Sequence, residues 1–464
     1  MSRELRSRLK EALERKRLSP ERASVAPAMR DKLDRALAGS LHEARQEKAA
    51  QESDRLPQSP ETDTLSSSAY TAERLADDDP ELSSLEGAFP IPGREHETPA
   101  GSIFKRTWRV SLEKLTGAEA LDKAEDGAGV LAALLDNDSL ERFEPGRALY
   151  LDTETTGLAG GTGTYVFLLG LGWVEGNEFV VEQLFMRELS EEPALLHRCR
   201  EIADRFSTIV SFNGLRFDIP LLDTRLVMNR MEGDLGARPH LDLLLPARHL
   251  YKGRFANCRL QTLEQELFGH LRQGDIPGAE IPGLYFDYLG GADVRNLMPV
   301  FEHNCLDVAT LLSFAVHFLH LCGRPERDPR ALGGMGRLHM RRGNRRRAQE
   351  LLEEARRQRE ATYRDLRELG FLYKKQGSYG KALEIWTALV ERQERAKRFV
   401  PFDVVPYVEA AKHFEHRAKD FARALTFTSA AGRRAAASGW KGKSPLRRSL
   451  VHRAERLRKR MEQA

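Results

Sequence analysis

The sequence has few cysteines and no long apolar run, and both absences narrow its class. Four of its 464 residues are cysteines (Cys199, Cys258, Cys305 and Cys322), and none belongs to a Cys-x-x-Cys pair. Neither a zinc site nor a disulfide framework is therefore predicted. No apolar run approaches the ~18–20 residues that a membrane span needs, and the charged first residues precede no apolar stretch of the secretory-signal type. These features predict a reduced, cytoplasmic protein with no membrane association.

Charge is distributed unevenly along the chain. The net charge is +4. The segment from Arg324 to Ala464 contains 36 Lys and Arg and 17 Asp and Glu, whereas the residues before it contain 37 Lys and Arg and 52 Asp and Glu. Dense basic runs lie at Arg345–Arg347 and Arg456–Arg460. This asymmetry predicts a basic module that contacts polyanions such as nucleic acid. The alternative is that the arginine-rich helices are simply well solvated.

The first hundred residues carry little that could form a core. Leu5, Leu9 and Leu13 recur every four residues and predict a short helix. The stretch Glu47–Glu95 is rich in Ser, Pro, Asp and Glu and has few large apolar residues, so burial cannot offset the entropy lost on ordering. Residues 1–100 are therefore predicted to be a largely disordered region with short helices, with ordered structure beginning near Gly101.

Residues 101–323 alternate between short apolar segments and helical patterns. Strands come first, and strands alternating with helices follow, which is typical of an α/β domain with a mixed sheet flanked by helices. Buried strands are predicted at Ala148–Leu151, Tyr165–Val174, Phe179–Phe185 and Thr208–Phe212, and helices at Glu192–Arg205 and Phe301–Leu321.

From residue 324 to residue 464, strand patterns are replaced by a repeat. Five residues recur at a spacing of 34, which is the period of the tetratricopeptide helix–turn–helix unit. They are Gly336, Leu338, Gly343, Ala348 and Glu350, followed by Gly370, Leu372, Gly377, Ala382 and Glu384. A weaker third copy includes Phe414, Phe421 and Ala424. We predict a basic helical domain of tetratricopeptide-like repeats, whose concave surface could recruit a protein partner.

Two carboxylates lie directly after the first predicted strand. Asp152 and Glu154 are two residues apart, so both side chains leave the strand on one face, while Thr153 lies on the other. Acidic groups after a buried strand are costly unless water or a cation satisfies them, and several converging carboxylates form a hard-oxygen site suited to Mg²⁺ or Mn²⁺. Asp-x-Glu by itself is common and mostly solvated, but here it follows a buried strand and precedes Thr-Thr-Gly, which favours a functional site.

Two further elements carry candidate groups. Ser-Phe-Asn-Gly-Leu-Arg-Phe-Asp ends at Asp218 near a helix start, where a carboxylate is electrostatically favoured. His303 and Asp307 are four residues apart and share a helix face. The alternatives are plain helix capping for Asp218 and a structural role for His303. Asp242, at the end of a short apolar segment, is either a further ligand or a structural residue.

These three elements, in this order, resemble the motifs of the DEDD exonucleases, which have a ribonuclease H-like fold. The similarity runs from about Ala148 to Leu321. The common subtypes place a Tyr four residues, or a His five residues, before the last Asp; this chain has His303 at the Tyr spacing. The residues that match the motifs are Asp152, Glu154, Asn213, Phe217, Asp218 and Asp307.

The repeats narrow the resemblance to the bacterial YprB-type family of predicted exonucleases. The Gly-rich run Thr156–Tyr165 and the segments His240–Leu243, Asp275–Gly278 and His303–Asn304 also resemble that family. The Gly-rich run lacks the Gly-Lys-Ser/Thr ending of a nucleotide-binding loop, so we interpret it as a hairpin turn beside the metal site.

The resemblance implies a metal-dependent 3′–5′ exonuclease that hydrolyses DNA or RNA with two Mg²⁺ or Mn²⁺ ions. Asp152 would bridge the ions, Glu154 and Asp307 would complete one site, Asp218 would hold the second ion, and His303 would orient or deprotonate the attacking water. The implied nucleic-acid contacts are Thr155, Asn213, Phe217 and Asn304.

Three other functions fit the same sequence features. A structure-selective endonuclease would use the same carboxylates. A non-catalytic nucleic-acid-binding protein is a second alternative, although the complete set of acidic positions argues against it. A repeat scaffold that recruits a protein is the third. A polymerase is not predicted, because too little of the chain remains to build one.

Overall fold

The computed structural model describes residues 90–115, 121, 127–157, 163–272, 274–395, 403–437 and 445–463. The disorder and short helices predicted before residue 90 lie outside the described residues. So do residues 158–162 of the Gly-rich run and residues 396–402, most of the insertion in the predicted third repeat.

Within the described residues, seven strands form one sheet in the order β1-β2-β5-β4-β3-β6-β7. Neighbours from β1 to β3 are antiparallel, whereas β3, β6 and β7 run parallel, so the sheet is mixed as predicted. The strands are β1 Arg94–Thr98, β2 Gly101–Ser111, β3 Ala148–Thr155, β4 Val166–Glu175, β5 Glu178–Phe185, β6 Thr208–Ser211 and β7 His240–Asp242.

The ordered sheet begins before the predicted boundary. Thr98 pairs with Gly101 at the closed end of a β1–β2 hairpin, and the Thr98 hydroxyl donates to the Gly101 carbonyl at 2.7 Å. Gly101 adopts φ +118°, a conformation that favours glycine. The predicted start of structure near Gly101 is therefore wrong by at least the length of β1, since that strand belongs to the same sheet.

Helices cover both faces of the sheet. Successive residues of β3 enter opposite cores: Tyr150 packs in one apolar cluster and Leu151 in the other, as the two-residue period of a strand requires. Burial on both faces explains why the strands read as continuous apolar runs. The helices up to Gly323 are α1 Leu112–Leu115, α2 Ala128–Leu135, α3 Glu192–Ala203, α4 Asp218–Met228, α5 Leu244–Tyr251, α6 Leu260–Phe268, α7 Ile281–Leu289 and α8 Met298–Gly323.

Helix α8 is the central element of one core. With the turn before it, the segment Val294–Gly323 is long and apolar enough to cross a membrane by length and composition, and its most apolar 18-residue window has a mean hydropathy of 1.7. The prediction that no apolar run approaches that length is wrong for this segment. Because 83% of its most apolar window is buried inside the protein, we interpret α8 as the core helix of the domain.

The chain after Arg324 is helical in its described part, as predicted. Gly336 lies against Leu352, and Gly370, which is 34 residues later, lies against the Trp386 ring in the same way. This equivalent packing agrees with a 34-residue unit, and the tetratricopeptide assignment itself stays a prediction. The helices are α9 Leu332–Arg341, α10 Arg345–Arg357, α11 Tyr363–Lys375, α12 Tyr379–Arg395, α13 Val405–His413, α14 Phe421–Ala437 and α15 Pro445–Glu462.

The first helices of this region share a core with the sheet domain. Leu332 and Leu351 belong to the same apolar cluster as Tyr150 and Phe314. The Tyr251 hydroxyl donates to Asp328 at 2.8 Å. The predicted boundary between residues 323 and 324 stays a prediction, and the apolar core runs across it.

Candidate active site

Strand β3 carries the first two candidate carboxylates. Asp152 and Glu154 are partly buried near its end, where the pairing with β4 shifts register between Glu154 and Thr155. Thr153, between the two acids, donates its hydroxyl to Oδ1 of Asp218. This hydrogen bond connects the first sequence element to the second.

The second element is a tight turn between β6 and α4. Asn213 adopts φ +71° in this turn, and Asp218 is the first residue of α4. Asp242 accepts from the backbone amides of Asn213 at 2.7 Å, Leu244 at 3.1 Å and Leu215 at 3.4 Å. These bonds occupy the Asp242 carboxylate, so the structural interpretation of this residue fits better than the ligand one.

The third element lies on α8 and faces the first. His303 Nδ1 is 2.7 Å from Oδ1 of Asp275. Its Nε2 is 3.5 Å from Oδ2 of Asp307 and 3.8 Å from Oε1 of Glu154. His303 therefore joins the predicted Glu154 and Asp307 to an additional carboxylate, Asp275, which the sequence supplied only as part of a family-like segment.

Asn304 has a different role from the predicted one. Its Nδ2 donates to Oδ2 of Asp152 at 3.0 Å, and its Oδ1 accepts from Nε2 of Gln183 at 2.9 Å. Trp108 Nε1 donates to Oε1 of Gln183 at 2.7 Å. Because an indole N–H can only donate, it fixes the orientation of both amides along this chain. Asn304 is fully buried, so the prediction that it contacts nucleic acid is wrong; it holds Asp152 instead.

Gly170 makes room for Asn304. It pairs with Asp152 across β3 and β4, and a Cβ there would lie 2.4 Å from Asn304 Oδ1 and 2.7 Å from Val308 Cγ2. We expect Gly170→Ala to destabilise the protein by about 1–3 kcal/mol through overpacking. The measurement is urea unfolding, with Gly129→Ala in α2 as the control, since a Cβ at Gly129 meets nothing within 4 Å. Equal stability of the two variants would contradict this packing.

A buried arginine lies directly behind Asp307. Arg272 Nη1 is 2.6 Å from Oδ1 of Asp307 and 3.3 Å from Oδ2 of Asp275, and its Nη2 is 2.8 Å from Oε1 of Glu264. The Thr310 hydroxyl also donates to Glu264. No motif spacing marks Arg272 or Glu264 in the sequence, because these residues come together only through folding.

Replacing Arg272 is expected to cost much more stability than replacing an exposed arginine. The Arg272 side chain is 4% exposed and that of Glu264 is fully buried, so Arg272→Met would leave buried carboxylates without their cation. Loss of one partner of a buried pair destabilises by about 3–5 kcal/mol. The matched control, Arg259→Met at an exposed position, should change stability by less than about 0.5 kcal/mol. Chemical denaturation of both variants gives the comparison. A loss below about 1 kcal/mol for Arg272→Met would show that the buried carboxylates do not depend on Arg272 for compensation.

Two sequence comparisons identify the family. Residues 149–319 match the ribonuclease H superfamily. The chain is 31% identical over 297 residues to YprB, an uncharacterized protein of Bacillus subtilis (strain 168), and the match covers 62% of this chain and 69% of YprB. The chain belongs to the YprB family. Its α/β domain is accordingly ribonuclease H-like, as the motif order predicts.

A family B DNA polymerase from the hyperthermophilic archaeon Pyrobaculum calidifontis is a solved structure with partial similarity to this YprB-family protein. The sequence identity is 14% and the TM-score is 0.29, over 67% of this chain and 45% of the polymerase chain. The match thus spans less than half of the polymerase, and a TM-score this low carries no argument about the fold or the site.

Burial and mutual repulsion oppose ionisation of the acidic groups in the site of this YprB-family protein. Burial raises the pKa of Asp152 well above its usual value, and the charges of Asp307, Glu154 and Asp218 raise it further. Burial raises the pKa of Glu154 to about 8; the charge of His303 opposes this shift, and the charges of Asp307, Asp218 and Asp275 add to it. Burial also raises the pKa of Asp218 to about 6, although the Thr153 hydroxyl opposes the shift. These shifts show that the neighbouring cationic groups offset the carboxylate charges only in part.

At His303 the charges of the nearby carboxylates outweigh the effect of burial on the pKa. Burial by itself would lower its pKa, but the carboxylates of Asp307, Asp275 and Glu154 raise the pKa to about 10. The favoured form at neutral pH is therefore the imidazolium, which donates from both ring nitrogens. In this state His303 acts as a cation toward Asp307 and Glu154.

The donor set fits a divalent cation in chemistry, although the ligands are not gathered into a finished site. Ribonuclease H-like nucleases generally use divalent metal ions. Within the described ranges, no group of three or more His, Cys, Asp or Glu side chains is spaced to hold an ion as it stands. Arg272 forms an ion pair with Oδ1 of Asp307, but this buried oxygen accepts no hydrogen bond from the described residues. Asp152, Glu154 and Asp218 supply hard oxygen donors of the kind that Mg²⁺ or Mn²⁺ prefers. Their raised pKa values mean that a nearby cation would favour the ionised, ligating form.

Exposed apolar side chains flank the carboxylates at the β6–α4 turn. Phe217, which precedes Asp218, is 53% exposed, and Leu215 is 41% exposed. Thr155 is partly buried and donates its hydroxyl to the Gly157 carbonyl at 2.9 Å. Nucleic-acid contacts by Phe217, Asn213 and Thr155 remain predictions, and Phe217 is the most accessible of the three.

Proposed function

We propose that the protein is a metal-dependent 3′–5′ exonuclease that hydrolyses phosphodiester bonds of DNA or RNA. The observation that carries the proposal is the proximity of Asp152, Glu154, Asp218 and Asp307, which come from three separate chain segments, with His303 beside Glu154 and Asp307. The ribonuclease H-like fold supports the nuclease class, and the DEDD resemblance supports the direction of cleavage and the use of two ions.

In this proposal Asp152, Glu154, Asp218 and Asp307 would hold Mg²⁺ or Mn²⁺. The bound ions would polarise the scissile phosphate and stabilise the charge that develops on the leaving oxygen. Asn304 holds one oxygen of Asp152 through its amide, which leaves the other oxygen free to bind. Asp218 keeps its position through the Thr153 hydroxyl.

His303 orients the attacking water or takes its proton. Asp275 accepts from Nδ1 and fixes the ring, so that Nε2 is directed toward Glu154 and Asp307. As long as those carboxylates are uncompensated, the ring stays protonated and can only donate. Cations bound by Glu154 and Asp307 would offset the charges that raise the pKa of His303, and this would bring the ring toward the form that accepts a proton.

Phe217 is proposed to stack on a base near the scissile bond. Stacking of a base on an aromatic side chain contributes about 1–3 kcal/mol, so we expect Phe217→Ala to raise KM by roughly 5- to 150-fold with a smaller change in kcat. The matched control is Phe286→Ala on α7, because Phe286 is also 53% exposed but lies outside the turn. Steady-state kinetics on an oligonucleotide makes the comparison, and equal KM values for the two variants would remove Phe217 from the substrate site.

The polarity of digestion tests the proposed activity. Single- and double-stranded DNA and RNA, labelled at the 5′ or the 3′ end, are incubated with Mg²⁺, Mn²⁺ or EDTA. We expect 5′-labelled strands to shorten stepwise, 3′-labelled strands to release mononucleotides, and EDTA to stop both reactions. Cleavage of substrates with blocked 3′ ends would instead favour the structure-selective endonuclease. Tight binding without any cleavage would favour the binding or scaffold alternatives.

A further inference from the structure

A strongly basic cavity lies where the repeat helices meet the sheet domain. It has a volume of about 390 Å³. Arg248, His249 and Lys252 line it from α5 and the residue after it, and Glu368 is the one acidic residue in its described lining. The other charged lining residues are Arg337, Arg341 and Arg364, from α9 and α11.

The positive charge of this cavity is largely uncompensated. Arg248, Lys252, Arg341 and Arg364 are exposed and have no side-chain ion pair or hydrogen bond to any residue that the structure describes. Arg337, in contrast, pairs with Asp365 and donates to the His249 carbonyl at 3.0 Å.

Charge crowding is visible at Arg337 itself. Burial, followed by the charges of Arg364, Arg341 and Arg254, lowers the pKa of Arg337 to about 10. Repulsion of this kind favours the binding of an anion, since an anion offsets several positive charges at once.

The densest basic runs of the sequence are paired with acidic residues in part. Arg346 and Arg347 both pair with Glu350, at 3.1 and 3.2 Å. Arg456 pairs with the fully buried Glu415 at 2.7 Å. Part of the charge in the Arg345–Arg347 and Arg456–Arg460 runs is therefore already neutralised within the protein, whereas four cationic side chains of the cavity face solvent.

The cavity has a fixed position relative to the candidate active site. A Cβ at Gly334 of α9 would lie 2.6 Å from Leu250 Cα and 2.9 Å from the His249 carbonyl oxygen, so the backbones of α9 and α5 are in direct contact. At the other end of α5, the Leu244 amide donates to Asp242, which also holds the turn leading to Asp218. An eight-residue helix of about 12 Å thus connects the site to the cavity.

We propose that this cavity binds a backbone phosphate of the nucleic-acid strand whose end lies in the candidate active site. The proposal rests on the proposed function. The length of α5 corresponds to about three or four phosphate steps of a stacked strand at 3.4 Å each, so a strand that follows α5 from the turn before Asp218 arrives at the cavity within that number of steps. Free phosphate or a nucleotide shares the same chemistry, and the continuity with the carboxylate site favours the strand.

Binding measurements in EDTA separate this proposal from catalysis. A dinucleotide and a strand of roughly twelve nucleotides, both fluorescently labelled, are titrated with the full-length protein at several salt concentrations. The cavity variant is Arg341→Glu/Arg364→Glu. The control is Arg448→Glu/Arg458→Glu on α15, which makes the same charge change at exposed positions outside the cavity. Circular dichroism melting shows whether each variant stays folded.

We expect the cavity variant to bind the long strand at least about tenfold more weakly. The slope of log K against log salt should fall by about 0.7 for each phosphate that the cavity no longer neutralises. Dinucleotide binding should be unchanged, and the control should differ from the parent by less than about twofold. Equal losses in both variants, or no loss in the cavity variant, would overturn the proposal. Inorganic phosphate that displaces the long strand and the dinucleotide equally well would identify a free-phosphate site instead.

The outcomes also separate this proposal from the nuclease proposal. Loss of long-strand binding in the cavity variant, in a protein that hydrolyses nothing, would support the cavity and reject the nuclease. Hydrolysis combined with unchanged strand binding in the cavity variant would support the nuclease and reject the cavity.

Discussion

Asp152→Asn and Asp307→Asn are each expected to lower the hydrolysis rate by more than about 100-fold, because each change removes a charge that would hold a cation. Replacement of outer-shell partners of a metal site costs about 10- to 100-fold, and a direct ligand should cost more. Each replacement preserves the shape of the side chain, and in Asp152→Asn the new amide oxygen can still accept from Asn304.

The matched control for these variants is Asp287→Asn on α7, an exposed carboxylate outside the site. Initial rates with Mg²⁺ and with Mn²⁺ should match the unmodified protein for the control and approach the background for both site variants, with melting temperatures showing that all are folded. Activity within about threefold of the unmodified protein for either site variant would exclude that carboxylate from the reaction.

The metal-free protein is expected to lose stability as the pH rises through about 8. The raised pKa of Glu154, about 8, means that the folded state keeps a proton that the unfolded state releases near pH 4.5. The stability from this proton is fully present below pH 4.5 and is lost as the pH rises through 8. The raised pKa of His303, about 10, acts in the same direction over pH 6.5 to 10.

Glu154→Gln isolates this effect. Glutamine is neutral at every pH, so the variant should be more stable than the unmodified protein at pH 8 in EDTA, by on the order of 1–3 kcal/mol, and nearly equal to it at pH 5. The control, Glu232→Gln at an exposed position, should show no such crossover. Urea unfolding between pH 5 and 8 provides the data; a Gln variant that is less stable at pH 8 would show that Glu154 is well compensated in the folded protein.

The strands that the sequence revealed are those buried on both faces. β3, β4 and β5 are continuous apolar segments, and their predicted bounds lie within a few residues of the observed ones, except at the carboxylate end of β3. β2 was missed because it contains Lys105 and Arg106, which are both buried. Lys105 pairs with the distant Glu182 at 2.9 Å, so the strand looks polar until its partner is known.

Regular spacing decided which residues of the candidate site could be predicted from the sequence. Asp152 and Glu154 could be predicted because the two-residue period of a strand places them together, and His303 and Asp307 because of the helical period. Arg272 lies outside the helices and strands, so no regular period could place it beside Glu264, Asp275 and Asp307. The basic cavity could not be predicted from the charge pattern either, because α5 contributes to it from the acidic part of the sequence.

Binding of Mn²⁺ measured by isothermal titration calorimetry tests the central claim most directly, since it asks whether the converging carboxylates hold a divalent cation. The unmodified protein is titrated beside Asp152→Asn/Asp218→Asn and the control Asp287→Asn, without nucleic acid. We expect saturable binding in the unmodified protein and the control, and its loss in the double variant. Absence of binding in the unmodified protein, or binding that survives in the double variant, would contradict the assignment of these carboxylates as the metal ligands.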